Sequence, residues 1–136
     1  MSKIYLVVGT PGSGKTWVCK QLQDKFDYLA HDDYPNDKAY VSNILQLLDF
    51  ATKPVLIETP FSVSQITEPL MREGYEVIPI FIIESHQVTA ERYQQREGRP
   101  ILAGHLTRIN TYTKRAEELG AFKGTSQEVL DYLKKV

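Results

Sequence analysis

The sequence of 136 residues has little cysteine, almost no net charge and no long apolar run. Its one cysteine, Cys19, excludes an internal disulfide and a zinc site built from several thiolates, and we expect a small buried apolar side chain there. A formal net charge of −1 gives no general attraction to nucleic acid or to anionic membranes, so any contact with nucleic acid has to be local. The apolar run IYLVV near the amino terminus is too short for a signal sequence or a membrane span. We therefore expect a cytoplasmic protein without a membrane partner, and these features leave its oligomeric state open.

Short apolar runs alternate along the chain with longer segments of helical spacing, and no internal repeat interrupts them. The alternation predicts an α/β fold, in which one domain over residues 1–136 has a parallel five-stranded sheet flanked by helices. The expected strands cover residues 4–8, 28–30, 55–57, 77–83 and 121–122. The expected helices cover residues 15–26, 37–51, 64–72, 86–95, 106–119 and 127–134. Ligands of such a sheet bind at the carboxyl ends of its strands.

Local signals refine these boundaries. Ser62, Ser85 and Ser126 precede helical segments, where a hydroxyl can accept a hydrogen bond from an unpaired helical N–H. Pro79 interrupts the fourth apolar run, and since proline removes a ladder hydrogen bond, we expect a bulge or a sheet edge there.

A phosphate-binding loop follows the first expected strand. The pattern G-x-x-x-x-G-K-[ST] is matched by Gly9, Thr10, Pro11, Gly12, Ser13, Gly14, Lys15 and Thr16. Glycines let backbone N–H groups turn towards phosphates, the lysine neutralises the β- and γ-oxygens, and the threonine hydroxyl binds Mg²⁺. The pattern predicts a P-loop NTPase domain of kinase type that binds ATP and Mg²⁺, with Lys15 as an exposed phosphate ligand.

A magnesium site beside such a loop also uses a carboxylate at the end of a neighbouring strand. Glu58 follows the apolar run Val55-Leu56-Ile57 and is the candidate, together with Thr16. The alternative is an acid exposed to solvent in a loop.

An acidic pair, Asp32 and Asp33, follows the second expected strand. A carboxylate there can accept the proton of a hydroxyl acceptor, whereas an acceptor that is already an ionised phosphate needs no such base. The alternative is that one of the acids caps the next helix. The adjacent His31 could tune Asp32 or could make a local hydrogen bond.

The segment from Gly9 to Tyr34, GTPGSGKTWVCKQLQDKFDYLAHDDY, resembles the kinase domain of the bacteriophage polynucleotide 5′-kinase family. That family has a G-x-P-G-S-G-K-[ST] loop, a tryptophan near the start of the following helix and a strand that ends in Asp-Asp-Tyr. The resemblance implies that Asp32 is the general base, that Lys15 and Thr16 hold ATP and Mg²⁺, and that Glu58 stands where the family has aspartate.

The sequence departs from that family in two places. Pro35 stands where the family has an arginine that contacts the acceptor phosphate, which leaves the identity of the acceptor open. The phosphatase motif D-x-D-G-T of the best-known members is absent. The resemblance therefore implies kinase activity alone.

An arginine-rich segment, ERYQQREGRP, places Arg92 and Arg96 four residues apart and so on one helical face. Guanidinium groups suit the equatorial oxygens of a transferring phosphoryl group, and a lid that carries them can exclude water. The phage family has a similarly spaced pair. The alternative is an exposed helix whose arginines pair only with Glu91, Glu97 and water. Whether Arg99 or Arg108 also contacts phosphate stays open.

These features predict a kinase that moves the γ-phosphate of ATP to a hydroxyl group of a nucleic acid or nucleotide. The resemblance favours a 5′-hydroxyl, and a hydroxymethyl group on a modified DNA base is the second choice. A nucleoside monophosphate kinase would share the fold and the arginines but would need no general base. A nucleotide-gated binding protein or ATPase module is the alternative of another class.

Overall fold

The computed structural model describes residues 3–60 and 63–136. The strands of the described part are β1 (Lys3–Val8), β2 (Asp27–Leu29), β3 (Val55–Thr59), β4 (Glu76–Ile82) and β5 (Phe122–Gly124). The α-helices are α1 (Lys15–Lys20), α2 (Asp37–Leu48), α3 (Val63–Arg72), α4 (His86–Glu97), α5 (Ala103–Leu119) and α6 (Ser126–Lys134). A single 3₁₀ turn, His31–Asp33, follows β2. In this part of the chain no helix has both the length and the apolarity that a membrane span requires.

All strand pairs are parallel, and the strand order is β2-β3-β1-β4-β5. The predicted α/β fold with a five-stranded parallel sheet flanked by helices is confirmed. Because the strands are parallel, the segments that follow β1, β2 and β3 all leave from one edge of the sheet. The phosphate loop, the acidic pair and Glu58 therefore meet at that edge.

Side chains from both faces of the sheet are buried, which explains why the strands are apolar without alternation. Ile4, Leu6 and Val8 of β1 pack on one face, and Tyr5 and Val7 pack on the other. The first core is completed by helical residues that include Tyr40, Ile44, Ile66, Leu70, Tyr112 and Ala116. The second is completed by residues that include Val18, Cys19, Leu22, Val129, Leu130 and Leu133. Cys19 is a buried apolar side chain, as predicted.

The first helix is shorter than predicted and stops at Lys20 instead of residue 26. The Gln21 N–H lies within hydrogen-bond distance of the carbonyls of both Trp17 and Val18, so the α-helical pattern tightens and ends there. Successive turns then carry the chain to Phe26, which is buried. Leu22 and Phe26 are four residues apart, an apolar spacing typical of a helix, although the backbone of this segment forms successive turns.

Pro79 does not form a bulge. The register between β1 and β4 is continuous, with Pro79 opposite Leu6. On its other side, β4 pairs with β5 only from Ile80 onwards. The predicted edge is therefore present and the predicted bulge is wrong.

Two of the three predicted caps can be compared with the structure. Ser85 caps α4, because its hydroxyl accepts from the Val88 N–H at 3.1 Å. The last helix is capped by Thr125, which forms a capping box with Glu128, and Ser126 is its first residue instead of its cap. Ser62 lies outside the described residues.

Candidate active site

The phosphate loop requires glycine at two of its positions. Gly12 and Gly14 have φ angles of 87° and 97°, in the left-handed region that side chains rarely adopt. A Cβ atom on Gly12 would also lie 2.6 Å from the backbone oxygen of Thr89 in α4. The loop is therefore packed directly against α4, and a larger residue at position 12 would separate the two.

The inner side of the loop contains a polar atom without a partner. Thr10 and Ser13 are buried, and the Ser13 N–H donates to the Thr10 carbonyl at 3.0 Å. The Ser13 hydroxyl has no hydrogen-bond partner among the described residues. Since buried polar groups are almost always paired in native proteins, this hydroxyl indicates a place for a ligand.

Lys15 is only 7% exposed, so its predicted exposure is wrong. Burial lowers the pKa of its ammonium group, and the negative charges of Glu58 and Asp32 oppose that shift, while the positive charge of Arg96 adds to it. These three residues belong to β3, to the turn after β2 and to α4. The structure therefore brings Glu58, Asp32 and Arg96 within electrostatic reach of Lys15.

Glu58 lies inside β3 and is 1% exposed, which rules out the alternative of a solvated loop acid. Its carboxylate accepts from the Thr16 hydroxyl at 3.3 and 3.4 Å for the two oxygens. Burial raises the pKa of the Glu58 carboxyl, and the positive charge of Lys15 and the Thr16 hydrogen bond oppose this. The two predicted metal-binding residues are thus already in contact.

Tyr40 of α2 holds the ends of β2 and β3 together. Its hydroxyl lies 2.8 Å from the Leu29 carbonyl and 2.9 Å from the Glu58 carbonyl, and it accepts from the Glu58 N–H at 3.0 Å. The paired part of β2 ends at Leu29, opposite Ile57, so Glu58 has no ladder partner on that side. The hydroxyl takes the place of the missing ladder partner and bridges the gap between the two chain ends.

The acidic pair lies in the 3₁₀ turn beside this gap. Helix α2 is capped by Asn36, whose side chain accepts from the Ala39 N–H at 2.8 Å, so neither Asp32 nor Asp33 is its cap. The Asp32 side chain is 85% exposed. His31 makes the local hydrogen bond that was one of its two expected roles, with its Nε2 atom 2.8 Å from the Asp37 carboxylate.

Arg92 joins three segments instead of pairing with a neighbour on its own helix. Its guanidinium lies 2.9 Å from the Glu84 carboxylate and donates to the Ser13 carbonyl at 3.0 Å and to the Ser126 hydroxyl at 3.3 Å. Ser126 in turn donates to Glu84 at 3.0 Å. Arg92 therefore fixes the phosphate loop to the segment after β4 and to the start of α6.

Arg96 is oriented differently. It pairs with Glu97 at 3.1 Å, as the alternative reading of this helix expected, and its guanidinium lies 5.8 Å from the ring centre of Tyr93. Arg99, in the connection that follows, lies 6.0 Å from the same ring. Tyr93 lies close to the phosphate loop, since a Cβ atom on Gly12 would be 3.2 Å from the Cβ atom of Tyr93. Its ring thus holds both arginines near the loop.

Two cavities adjoin the phosphate loop. A cavity of about 200 Å³ is lined by Gly12, Gly14, Lys15, Thr16, Trp17, Arg92 and Arg96. A second, of about 390 Å³, is lined by Gly14, Trp17, Arg92, Ser126 and Gln127. Arg99 and Arg108, although both described, line neither. Trp17, which is 46% exposed, forms a wall shared by the two cavities.

Comparison with known proteins supports the fold. No protein-family model matches the sequence, and no curated protein sequence matches it. Among solved structures, a gluconokinase from Sinorhizobium meliloti 1021 has a TM-score of 0.56 at 19% identity, over 81% of this chain and 73% of that one. An uncharacterized protein from Eubacterium ventriosum ATCC 27560 has a TM-score of 0.59 at 15% identity, over 99% of this chain and 97% of that one.

A third similar structure, named APE1195, has a TM-score of 0.54 at 14% identity, over 97% of this chain and 92% of that one. Together with the loop after β1, these similarities show that the chain has a P-loop NTPase fold, which it shares with at least one kinase. The resemblance to phage polynucleotide kinases is not tested by them and stays a prediction.

Sequence reasoning missed Tyr93 and Glu84, and it offered Tyr40 only as a core or base-stacking aromatic, although all three shape the site. The spacing of Tyr40 in α2 predicts a core residue, and its ring is indeed buried, but no sequence signal shows where its hydroxyl points. Glu84 follows the apolar run of β4 in sequence just as Glu58 follows Val55-Leu56-Ile57. That shared position was the one signal that could have identified it.

Proposed function

We propose that the protein is a Mg²⁺-dependent kinase that transfers the γ-phosphoryl group of ATP to a hydroxyl group. The observation that carries the proposal is the cavity beside the phosphate loop, which Lys15 and Arg96 both line, while the negative charge of Asp32 acts on Lys15 from the turn after β2. A hydroxyl acceptor needs a base on one side of the phosphates, and the transferring group needs positive charge on the other.

The residues of the loop fit a nucleotide polyphosphate. Gly12 and Gly14 hold left-handed backbone angles that side chains rarely adopt, and the Ser13 hydroxyl lacks a hydrogen-bond partner in the described part of the chain. The Lys15 amine lines the smaller cavity, where the β- and γ-phosphates would bind. The larger cavity offers the exposed ring of Trp17, on which the adenine base would stack.

Thr16 and Glu58 fit the magnesium ion, because a hydroxyl and a carboxylate are hard oxygen ligands that already lie side by side. Bound magnesium would neutralise charge that develops on the phosphates. Lys15 would neutralise the remaining oxygens. Arg96 would face the transferring phosphoryl group, and Arg92 would hold the loop that carries Lys15 and Thr16.

Asp32 would act as the general base. It would accept the proton of the acceptor hydroxyl while the new bond from that oxygen to the γ-phosphorus forms and the bond to the β-phosphate oxygen of ATP breaks. The exposure of its side chain leaves space for an acceptor between the turn and the loop.

The acceptor we favour is a hydroxyl of a nucleic acid or nucleotide, either a 5′-hydroxyl or a hydroxymethyl group on a modified base. The Asp-Asp-Tyr sequence at residues 32–34 and its resemblance to the phage kinases support this choice. The gluconokinase among the structural neighbours makes gluconate the necessary comparison acceptor.

The test is transfer from γ-labelled ATP to a panel of acceptors: a 5′-hydroxyl oligonucleotide, a hydroxymethylated DNA, a nucleoside monophosphate, gluconate and water. Asp32→Asn should slow transfer to the preferred hydroxyl by about 10²- to 10⁴-fold with little effect on ATP affinity. Asp33→Asn is the matched control and should keep most activity.

Near-normal rates for Asp32→Asn, with label on the monophosphate, would favour a nucleoside monophosphate kinase. Label that goes only to free phosphate would favour an ATPase module.

A further inference from the structure

His31 lies between two carboxylates. Its Nε2 atom is 2.8 Å from Oδ1 of Asp37, the first residue of α2, and its Nδ1 atom is 3.9 Å from Oδ1 of Asp32. The first distance is a hydrogen bond. The second is longer than a hydrogen bond, but rotation of the Asp32 side chain is enough to shorten it, because no other contact holds that side chain among the described residues.

The imidazole itself is fixed. Its side chain is 20% exposed, and its ring packs edge-on against Tyr40 at 5.1 Å between ring centres. Tyr40 is bound to the backbone of Leu29 and Glu58, so the ring of His31 rests on the part of the structure that joins β2 to β3. A fixed imidazole therefore faces an exposed and adjustable carboxylate.

The hydrogen bond to Asp37 determines which nitrogen of the neutral imidazole carries the proton. A carboxylate only accepts, so Nε2 donates to Asp37. The lone pair of the neutral ring is then on Nδ1, the atom that faces Asp32. In this arrangement Nδ1 of His31 can receive a proton from Asp32.

We propose that His31 is a positioning residue that orients Asp32 and takes from it the proton of the acceptor hydroxyl. This rests on the proposed kinase function. The proton leaves the acceptor oxygen for an Asp32 oxygen as the phosphoryl group is transferred, and it then moves to Nδ1 of His31 and from there to solvent. Asp32 is restored as a carboxylate, and no oxidant or further reactant is needed.

The charges around His31 suit this role. Asp32 and Asp33 lie in its own turn, Asp37 and the ring of Tyr40 face it from α2, and Glu58 is the acid at the end of β3. The ring lies between the carboxylates of Asp37 and Asp32. A histidine ring that carries a second proton has no free lone pair on Nδ1. Transfer should then slow over the range of roughly pH 5 to 8 in which histidines change charge.

The experiment compares wild type with His31→Gln and Asp37→Asn in steady-state transfer from ATP to the preferred hydroxyl acceptor between pH 5 and 8. Glutamine can still donate to Asp37 but has no proton acceptor in place of Nδ1. We expect His31→Gln to lower the transfer rate about tenfold at pH 7 with unchanged KM for ATP, to flatten the acid limb of the profile, and to regain rate when imidazole is added. Asp37→Asn should also lower the rate, since an amide at position 37 can donate to Nε2 and leave the ring proton on Nδ1, the atom that faces Asp32.

Thermal melts would show whether each variant is folded, and Asp37→Asn tests the same contact from the other side if His31→Gln unfolds. A rate and pH profile equal to wild type in the folded variants, without rescue by imidazole, would overturn the role of His31 and leave the kinase function standing. Absence of transfer from wild type to any hydroxyl would overturn the kinase function and the role of His31 with it.

Discussion

At the scale of single residues, the most informative feature is a pair of buried opposite charges. The pKa of Lys15 lies below its ordinary value of 10.5, and that of Glu58 lies above its ordinary value of 4.5, in both cases chiefly because of burial. The contribution of a lowered lysine pKa to stability is fully present above pH 10.5 and is lost as the pH falls through the folded-state pKa. The contribution of a raised glutamate pKa is fully present below pH 4.5 and is lost as the pH rises through the folded-state pKa. Near neutral pH both charges therefore weaken the ligand-free protein, and a bound phosphate would relieve Lys15.

Lys15→Met should separate function from stability. We expect phosphoryl transfer to fall by about 10³-fold or more, because the ligand of the β- and γ-phosphates is gone. The melting temperature of the ligand-free protein at pH 7 should be equal to or above that of wild type, because a buried ammonium is removed. Lys20→Met, an exposed lysine on the same helix, is the control for both measurements. A clear loss of thermal stability in Lys15→Met would contradict the burial argument.

Glu58→Gln tests the other charge through pH. As the pH rises from below 4.5 through the raised pKa of Glu58, wild type takes a buried negative charge and the variant does not. The free energy of unfolding of the variant should therefore increase relative to wild type over that range. Urea titrations at several pH values between 4 and 7 measure this difference. A difference that stays constant with pH would show that Glu58 has the same pKa in the folded and unfolded protein.

At the scale of helices and strands, hydrogen bonds between distant segments decide how the site is assembled. Tyr40→Phe should lower the free energy of unfolding by about 1–3 kcal/mol, because the buried carbonyl and N–H groups of Leu29 and Glu58 lose their partner. Tyr34→Phe is the matched control, and we expect a change within about 0.5 kcal/mol there. Denaturant unfolding of both variants gives the comparison. Equal effects would mean that the Tyr40 hydroxyl does not close the β2–β3 ladder.

Arg92 and Arg96 should differ although they share a helical face. Arg92→Ala leaves the Glu84 side chain, 9% exposed, without its cation, and since Arg92 itself is 41% exposed we expect a loss of only about 1–2 kcal/mol in stability along with a lower kcat. Arg96→Ala should lower kcat with stability within about 0.5 kcal/mol of wild type. Glu84→Gln in the Arg92→Ala background should recover part of the lost stability. Identical stability in the two arginine variants would refute the bridging role of Arg92.

The sequence predicted the elements whose signals are local. The phosphate loop follows from its pattern, and β1 and β4 follow from continuous apolar runs that a parallel sheet buries on both faces. The length of α1 was overestimated, since Leu22 and Phe26 keep a helical spacing in a segment of turns. The pairing of Arg92 with Glu84 and Ser126 was missed, because it depends on where three separate segments meet and no spacing rule describes that.

At the scale of the whole molecule, binding of nucleotide should stabilise the fold. ATP with Mg²⁺ at about 100 times its Kd should add about 2.7 kcal/mol to the free energy of unfolding. Removal of the metal with EDTA should abolish transfer and reduce this stabilisation, because Thr16 and Glu58 would then face the phosphates without the ion. Thermal melts with ATP, with ATP plus EDTA, and with AMP as control measure the effect. Stabilisation by AMP equal to that by ATP would contradict a site built around the β- and γ-phosphates.

The contact between Gly12 and α4 has a consequence for how the phosphate loop could be transplanted. A loop that leaves no space for a Cβ beside Thr89 and Tyr93 is half of an interface, and α4 is the other half. A chimera that carries only residues 9–16 into another sheet would lack the surface of α4 against which the loop packs. The unit that can be exchanged between proteins is therefore the loop together with the first two turns of α4, a discontinuous module joined by packing instead of by sequence.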